Sequence, residues 1–370
     1  MRIAFLVPSP VAPDDSSLGP ASGGYLYDER MAAGLRARGH QVDVIFTARG
    51  AGRAEVDRLE AHLRVKPYDA VLEDELGFET YAALNARLRE AGADVALVAL
   101  IHVPSVLLEE APTSAEAERR FLFTLDAAVY VSWSVRRDTE AALGARVPSV
   151  VVPPGADPPA AGATARQAGA STRPVQLISV GHLLPHKGYL ELADVLGRLA
   201  RDASAPAWTA TWVGDLDLAP EYHEAVLSRL RGASLVDRVR LTGRLPPGGV
   251  ARALASADLF VTSSRYESHG FAVVEALGAG LPVIGWTAGG LWEYLRPGRD
   301  SIQLRWGEVE RLVEILRWLL EDRDARAAMS KRVLETARAL APWPRRVAKM
   351  EAALEAILKA RREGSRRAMG

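Results

Sequence analysis

The sequence predicts an α/β protein built from two βαβ domains in tandem. Short, continuously apolar runs alternate with longer amphipathic stretches, which is typical of parallel strands covered by helices on both faces. The alternation stops once, in a tract rich in Ala, Gly and Pro at residues 155–174, and then begins again. With 370 residues, the chain is long enough for two domains of ordinary size.

The first half of the chain contains six predicted strands. These are Ile3–Val7, Val42–Phe46, Ala70–Leu72, Val95–Ile101, Ala127–Val131 and Ser149–Val152. Helices are expected at Tyr25–Arg38, which Gly39 ends, at Glu55–Leu63 and at Thr80–Ala91. The opening apolar run is short, breaks at Pro8 and lacks a cleavage-site pattern. We therefore interpret it as a buried strand and not as a signal peptide.

A second series of elements follows the tract at 155–174, which has no periodic apolar face and is predicted to be a linker. The predicted strands are Val175–Val180, Trp208–Val213, Val239–Thr242, Leu259–Thr262 and Pro282–Ile284. A helix is expected at Tyr189–Ala200. Three further helical segments, Glu308–Leu320, Asp324–Ala339 and Arg345–Ala360, close the chain.

Composition narrows the class of protein. The absence of cysteine excludes thiol nucleophiles, disulfides and Cys-based metal sites. The 46 basic residues balance the 46 acidic ones, whereas duplex nucleic-acid binders usually carry excess base, so no nucleic-acid partner is expected.

No apolar run reaches the roughly 18 residues of a membrane span, and the expected location is the cytoplasm. The Arg-rich stretch 360–367 fits either a solvated helix end or a weak membrane-surface contact.

The first candidate site is the segment 259–285, in which a buried strand runs into a polar turn and then an apolar helix. Free N–H groups and the helix dipole at such a helix start attract anions. Gly270 would let a ligand approach the backbone closely. Glu267 and Glu275 bracket the turn, either as an acid/base pair or, more plainly, as a helix cap and a surface residue. Because Glu275 lies in a nearly uncharged stretch, we favour a function for it.

The second candidate site follows the predicted strand Val175–Val180. Gly181 and His182 open a turn, and Lys187 precedes the next helix with a spacing that differs from the P-loop pattern. A lysine at a helix start opposes the helix dipole, at a small local cost. A bound phosphate would explain a lysine at this position. The alternative is that the lysine is simply solvated.

Two segments in the first half of the chain are weaker candidates for ligand binding. Gly23 and Gly24 open the first helix behind Ser22, which could simply be its N-cap. Together with the helix starts of the second half, these glycines would frame a diphosphate. His102 follows a strand, at the edge where open α/β sheets bind ligands, although a lone histidine is often structural.

Several familiar motifs are missing from the sequence. No dinucleotide-binding glycine pattern follows a strand, and neither GxSxG nor HExxH occurs. The histidine spacing suggests no metal cage. We therefore expect no metal and no cofactor.

Taken together, these segments resemble glycosyltransferase family 4, the retaining GT-B glycosyltransferases. The stretch 267–275 matches the family's E-x7-E motif, with Glu267 and Glu275 as its two acids. Segments 152–157, 213–215, 241–245, 257–261 and 276–284 also look like the family, so the resemblance covers nearly the whole chain.

The resemblance implies an α/β GT-B fold, in which two Rossmann-like βαβ domains face each other across a cleft and the C-terminal helix crosses back to the N-terminal domain. The acceptor domain would then comprise residues 1–154 plus 343–370, and the nucleotide-sugar-binding domain residues 175–342, with 155–174 as the linker. Trp343 followed by the last helix looks like that crossover.

The resemblance also implies roles in the C-terminal domain. Glu267 would contact hydroxyls of the donor sugar near its C3, and Glu275 would bind the ribose. The amides of Gly270 and Phe271 would hold sugar and phosphate oxygens. Lys187 would neutralise the leaving diphosphate.

Further roles complete the implied donor site. Gly23 and Gly24 would approach the diphosphate from the N-terminal domain, and His102 would lie near C6 of the donor sugar. Backbone around Arg244 and Leu245 would meet the base. Gly181 and His182 belong to the same donor-binding loop as Lys187. His182 stands where many family members have arginine, so the second cation is lost, is a protonated His182, or comes from Arg244 or Arg265.

The reaction implied is transfer of a hexose-type sugar from a UDP- or GDP-type nucleotide sugar to an unidentified small-molecule, glycan or lipid acceptor. It would retain anomeric configuration and need no metal. Three alternatives remain open: a sugar-nucleotide epimerase that uses the same cleft, a membrane-associated enzyme with a lipid acceptor, and a non-enzymatic binding scaffold.

Overall fold

A computed structural model of the chain describes residues 1–9, 22–48, 52–108, 114–159, 173–246, 248–286 and 288–369, the side chains of residues 9 and 364–369 excepted. The described residues form two compact units. One consists of the residues up to Gly155 together with those from Ala341 onward, and the other lies within Ala156–Leu340. Most of the predicted linker, residues 160–172, lies outside the described residues.

The first unit contains a six-stranded parallel sheet in the order β2-β1-β3-β4-β5-β6. Its strands are β1 (Arg2–Ser9), β2 (Gln41–Ala48), β3 (Ala70–Asp74), β4 (Ala96–Ile101), β5 (Ala127–Tyr130) and β6 (Ser149–Val151). The central strands β3 and β4 are buried at every position, which explains their continuous apolar runs. Helices α1 (Gly23–Ala37), α2 (Arg53–Val65), α3 (Phe78–Glu90), α4 (Ser114–Phe123) and α5 (Trp133–Leu143) connect the strands.

The second unit repeats this architecture with the strand order β12-β11-β10-β7-β8-β9. Its strands are β7 (Val175–Val180), β8 (Trp208–Val213), β9 (Val239–Leu241), β10 (Leu259–Thr262), β11 (Val283–Trp286) and β12 (Ser301–Leu304). Its helices are α6 (Tyr189–Arg201), α7 (Pro220–Gly232), α8 (Gly249–Ser256), α9 (Phe271–Gly278), α10 (Val309–Glu321) and α11 (Arg323–Ala339). The two units are therefore Rossmann-like, as predicted.

The last helix, α12 (Trp343–Met369), returns to the first unit. It packs so closely on α1 that a Cβ atom at Gly34 would lie 2.4 Å from a methyl of Val347. Its Glu351 accepts hydrogen bonds from Arg38 (Nε–Oε2, 2.6 Å) and pairs with His40 (Nε2–Oε1, 2.7 Å). The predicted crossover helix is thus confirmed.

The described chain also contains elements that the sequence patterns did not reveal. These are the helices α4, α5, α7 and α8 and the edge strand β12. In β12 only the end residues Ser301 and Leu304 are buried, so no continuous apolar run marks it. Helix α8 is eight residues long and begins at a glycine, which weakens any helical signal.

Candidate functional site

The site in the second unit lies where the connectivity of the sheet reverses. Strand β10 pairs with β7, while the chain continues from β7 to β8 on the other side. Loops at the carboxyl ends of two such strands diverge and leave a crevice. Lys187 follows β7 and Glu267 follows β10, so the fold brings both predicted residues to this point. They line a small, solvent-open recess together with Ser264 and Gly270.

Lys187 and Glu267 form a tight ion pair at this crevice. Lys187 Nζ donates to Glu267 Oε1 at 2.6 Å, and Ser264 Oγ donates to the same oxygen at 2.7 Å. The two side chains are only 22% and 17% exposed. Burial by itself would raise the pKa of the Glu267 carboxyl, but the charge of Lys187 and the hydrogen bonds from Lys187 and Ser264 outweigh it. Its pKa therefore lies below the ordinary value, and the carboxylate is ionised at neutral pH.

The position of Lys187 depends on its neighbour Gly188. Gly188 has φ +67°, and a Cβ atom there would lie 2.2 Å from the carbonyl oxygen of Ser263. Ser263 Oγ in turn donates to the carbonyl of Lys187 at 2.7 Å. The backbones of the two loops thus touch at Gly188, and this contact holds Lys187 beside Glu267.

Replacing Gly188 with alanine is expected to destabilise the second unit by about 3 kcal/mol or more, because the substitution combines left-handed backbone strain with a backbone clash. Thermal unfolding measures the loss. Gly232→Ala is the matched control, because a Cβ atom there meets nothing within 4 Å. Equal melting temperatures for the two variants would contradict the close contact between the loops.

Gly181 and His182 surround the same lysine. A Cβ atom at Gly181 would lie 3.6 Å from Lys187 Cδ, and Tyr189 Oη donates to the Gly181 carbonyl at 2.8 Å. His182 Nδ1 accepts the backbone N–H of Asp215 at 3.1 Å. An imidazolium has no acceptor nitrogen, so this bond favours a neutral His182. Among the proposed second cations, Arg265 pairs with Glu191 and lies over the Trp306 ring at 4.9 Å.

Helix α9 begins beside the ion pair. Its N-cap is Gly270, with φ +73°, which has no side chain that could cap the helix. The Glu267 carboxylate binds Lys187 and Ser264 through Oε1. A helix start at the carboxyl edge of a sheet is suited to anionic oxygens. The Phe271 amide belongs to this same helix start.

Glu275 lies one turn further along α9, with an exposed side chain. Partial desolvation raises the pKa of its carboxyl, and the charge of Asp157 adds to the effect. Arg244 and Leu245 follow the edge strand β9, so they lie at the carboxyl edge of the same sheet. They join the loops after β7 and β10 at that edge.

The predicted residues of the first unit also come together at one sheet edge. Gly23 and Gly24 begin α1 after β1, and His102 directly follows β4. A Cβ atom at Gly24 would lie 3.5 Å from His102 Cγ, so the imidazole packs directly against the start of the helix. Here too the connectivity of the sheet reverses, between β1 and β3.

Three buried acids beside His102 were missed by the sequence analysis. Asp28 Oδ1 lies 3.0 Å from His102 Nε2. Asp74 is the last residue of β3, and Glu75 directly follows it. Burial raises the pKa of Asp28 well above its usual range and brings Asp74 and Glu75 to about 7. The only sequence signal was a run of three acids, Glu73–Glu75, directly after the predicted apolar strand Ala70–Leu72.

The side-chain atoms of Asp28, Asp74 and His102 that could ligate a metal ion lie within 4.8 Å of one another. His102 Nε2 and Asp28 Oδ1 already engage each other, so we describe the group as a hydrogen-bonded cluster and assign no metal to it. The absence of a metal requirement stays a prediction.

Two Rossmann-like units, with the last helix returned to the first, define the GT-B class of fold. Sucrose-phosphate synthase from Thermosynechococcus elongatus has this fold, with a TM-score of 0.80 at 18% identity over 97% of this chain and 99% of that one. HepE of Anabaena, solved in complex with UDP and glucose, gives a TM-score of 0.76 at 19% identity over 96% and 100% of the two chains.

Sequence comparison finds partial matches to glycosyltransferases. Residues 163–336, just under half of the chain, match the family model described as glycosyl transferases group 1. The sulfoquinovosyl transferase SQD2 of Arabidopsis thaliana is 31% identical over 43% of this chain and 29% of its own length. The GDP-mannose-dependent monoacylated alpha-(1-6)-phosphatidylinositol monomannoside mannosyltransferase of Corynebacterium glutamicum is 27% identical over 67% of this chain and 66% of its own. The chain therefore has the GT-B fold, and its second unit is similar in sequence to glycosyl transferases group 1, while it spans 29% and 66% of the lengths of these two relatives.

None of the helices within the described ranges combines the length and the apolar character that a membrane crossing requires.

Proposed function

We propose that this chain is a retaining glycosyltransferase of the family 4 type, which moves a hexose-type sugar from a UDP- or GDP-type nucleotide sugar to an acceptor without a metal ion. The observation that carries the proposal is the Lys187–Glu267 pair at the crevice of the second unit, within the stretch that matches the glycosyl transferase family. Two relatives support the donor class, since one is named as GDP-mannose-dependent and another is solved with UDP and glucose.

The ion pair suits a site that must hold a sugar next to a diphosphate. An ionised Glu267 carboxylate accepts hydrogen bonds from sugar hydroxyls. Lys187 carries three N–H donors, so it can keep Glu267 and still donate to a phosphate oxygen. Gly270 and Phe271 add the amides of the start of helix α9. In this proposal Glu275 binds the ribose, and Arg244 and Leu245 contact the base.

The proposed mechanism depends on where charge develops during the reaction. When the anomeric bond breaks, the sugar becomes oxocarbenium-like and the diphosphate gains negative charge. Preorganised N–H donors and the Lys187 ammonium stabilise the charge where it develops, which lowers the barrier without a metal ion. The residues offer no obvious covalent nucleophile, so we propose a front-face displacement in which the leaving phosphate takes the proton of the acceptor.

The first unit would supply the remaining contacts. Gly23 and Gly24 would approach the diphosphate, and His102 would lie beside the donor sugar. His182 accepts a backbone N–H, which disfavours its protonated form, so we propose that a second cation on the diphosphate would be Arg244 or Arg265.

A panel of nucleotide sugars tests the proposal. We expect one UDP- or GDP-sugar to raise the melting temperature by several degrees and to be hydrolysed slowly without an acceptor, also in the presence of EDTA. Glu267→Gln is expected to lose most of the sugar-dependent part of the shift while keeping that of the free nucleotide. Proton NMR of the new anomeric centre reports retention or inversion. No thermal response to any donor would overturn the proposal.

The open alternatives separate by product. An epimerase would convert the nucleotide sugar with no acceptor present, and the product would keep its nucleotide. A phosphatidylinositol mannoside acceptor in the name of one relative favours a lipid acceptor as the second candidate. We propose a cytoplasmic location beside the membrane for that case, and co-sedimentation with anionic liposomes at low salt tests it.

A further inference from the structure

His102 is held on several sides, and two of the residues that hold it, Asp28 and Tyr27, have no other part in the proposed reaction. Its Nε2 meets Asp28 Oδ1 at 3.0 Å, and both side chains are buried. The Tyr27 ring packs edge-on against the imidazole, with centroids 5.3 Å apart, and Tyr27 Oη donates to the Val152 carbonyl at 2.9 Å. Gly24 covers the Cγ–Cδ2 edge of the ring. The imidazole therefore has one orientation, and Nδ1 is its remaining ring nitrogen.

Asp28 is itself held within a group of acids. Its carboxyl lies beside that of Asp74, with an oxygen of each group within 4.8 Å of the other, and its second oxygen, Oδ2, is buried without a hydrogen-bond partner among the described residues. Asp74 Oδ1 accepts the Leu76 amide at 2.9 Å, and Glu75 Oε1 accepts the Val103 amide at 2.7 Å.

The titratable groups that face this cluster come from several elements. Asp74 and Glu75 lie at the end of β3, Tyr27 on α1, Tyr81 on α3 and Arg346 on α12. Arg346 acts on Tyr27, and its own pKa is lowered by burial. The immediate surroundings of the imidazole are therefore dominated by carboxyl groups.

So many carboxyl groups in a buried place cannot all be ionised, and the cluster retains protons at neutral pH. The Asp28 carboxyl and the His102 imidazole can hold two protons between them. In that case one proton lies between Nε2 and the carboxyl, and the other is on Nδ1. This is true whether the pair is written as neutral acid and imidazole or as carboxylate and imidazolium. A pair that holds one proton leaves Nδ1 as an acceptor instead.

We propose that Asp28 is the positioning residue of His102 and that, held against Asp74, it keeps the Nδ1 proton in place so that His102 donates a hydrogen bond to a hydroxyl of the donor sugar. This inference rests on the proposed function, because the sugar is the ligand assigned to His102. Asp28 itself does not touch the sugar.

Direct observation of the imidazole tests the proposal without any substrate. Nitrogen-15 NMR of the full chain, with His102 assigned by comparison with His102→Ala, is expected to show Nδ1 protonated at pH 7. In Asp28→Asn, the amide oxygen would take the place of Oδ1 and accept a hydrogen bond from Nε2–H. We expect Nδ1 then to lose its proton and become an acceptor. An unprotonated Nδ1 in the unmodified protein overturns the inference.

Binding of the donor provides the second readout. The ratio of UDP affinity to nucleotide-sugar affinity isolates the sugar, and we expect Asp28→Asn and His102→Ala each to reduce the preference for the sugar about tenfold. The double variant should lose no more than His102→Ala alone, because the effect of Asp28 passes through His102. Additive losses would refute the positioning role.

Controls separate the possible failures. Glu73→Gln alters another buried carboxyl of β3, which binds Asn85, and should leave the sugar preference unchanged. Melting temperatures report whether Asp28→Asn folds, and Asp28→Glu should restore the Nδ1 proton at least in part. If no nucleotide sugar binds the unmodified protein, the proposed function fails, while the NMR result still decides the role of Asp28.

Discussion

Lys187→Met is expected to lower kcat by about 10²–10³-fold while weakening donor binding by less than about tenfold. In the ground state the diphosphate already carries its charge and is partly solvated, so the loss of one ammonium costs little. In the transition state new charge appears on the leaving oxygen next to Nζ, and no other described donor takes over that position. Steady-state kinetics with separate donor binding by calorimetry measures the two effects.

The ion pair complicates this variant and also supplies its control. Removal of Lys187 leaves Glu267 partly buried without its cation, which is destabilising. The double variant Lys187→Met, Glu267→Gln removes both charges and should regain stability without regaining turnover. Lys331→Met replaces an exposed lysine of the same unit and should resemble the unmodified protein. Equal losses in kcat and in donor affinity would contradict the proposed role of Lys187.

The first unit is expected to lose several kcal/mol of stability as the pH rises from about 5 to 9, because it contains buried acids that are neutral when folded. Burial raises the pKa of Glu73 from 4.5 to about 8, against a hydrogen bond from Asn85 that lowers it. A folded pKa above the unfolded one means that the folded state binds more protons between these values. The stabilisation that neutral Glu73 contributes is therefore fully present below about pH 4.5 and is lost as the pH rises through 8. Its total size is about 1.4 kcal/mol for each unit by which the folded pKa exceeds the unfolded one.

The contacts of Glu73 support its neutral form. Asn85 Nδ2 donates to Glu73 Oε2 at 3.0 Å, while Glu73 Oε1 and Asn85 Oδ1 are both buried without a partner among the described residues. A proton on Glu73 would give Asn85 Oδ1 the donor that it lacks.

Glu73→Gln offers a similar N–H donor without a titrating group, so its melting temperature should fall less steeply with pH and should exceed that of the unmodified protein at pH 9. Asp74 and Glu75 still titrate in this variant, so part of the slope remains. Glu79→Gln, at an exposed position nearby, should leave the slope unchanged. Parallel pH curves for Glu73→Gln and the unmodified protein would show that Glu73 is ionised when folded.

The local pattern of apolar and polar residues was enough to predict most of the strands and helices. Continuous apolar runs predicted the buried strands because a strand covered on both faces has no polar side. The same reasoning missed β12, with its two buried ends, and short helices such as α8. The residues after β7 and β10 were recognised because glycines and charges at a strand end stand out locally.

The sequence by itself determined the two βαβ halves and the residues at the ends of their strands, because apolar periodicity and turn residues act over short stretches of chain. Only the tertiary structure decided the partners: Glu267 with Lys187, 80 residues away, and His102 with Asp28, 74 residues away. Those pairs depend on which strands lie side by side, and strand order is set by the packing of the whole sheet.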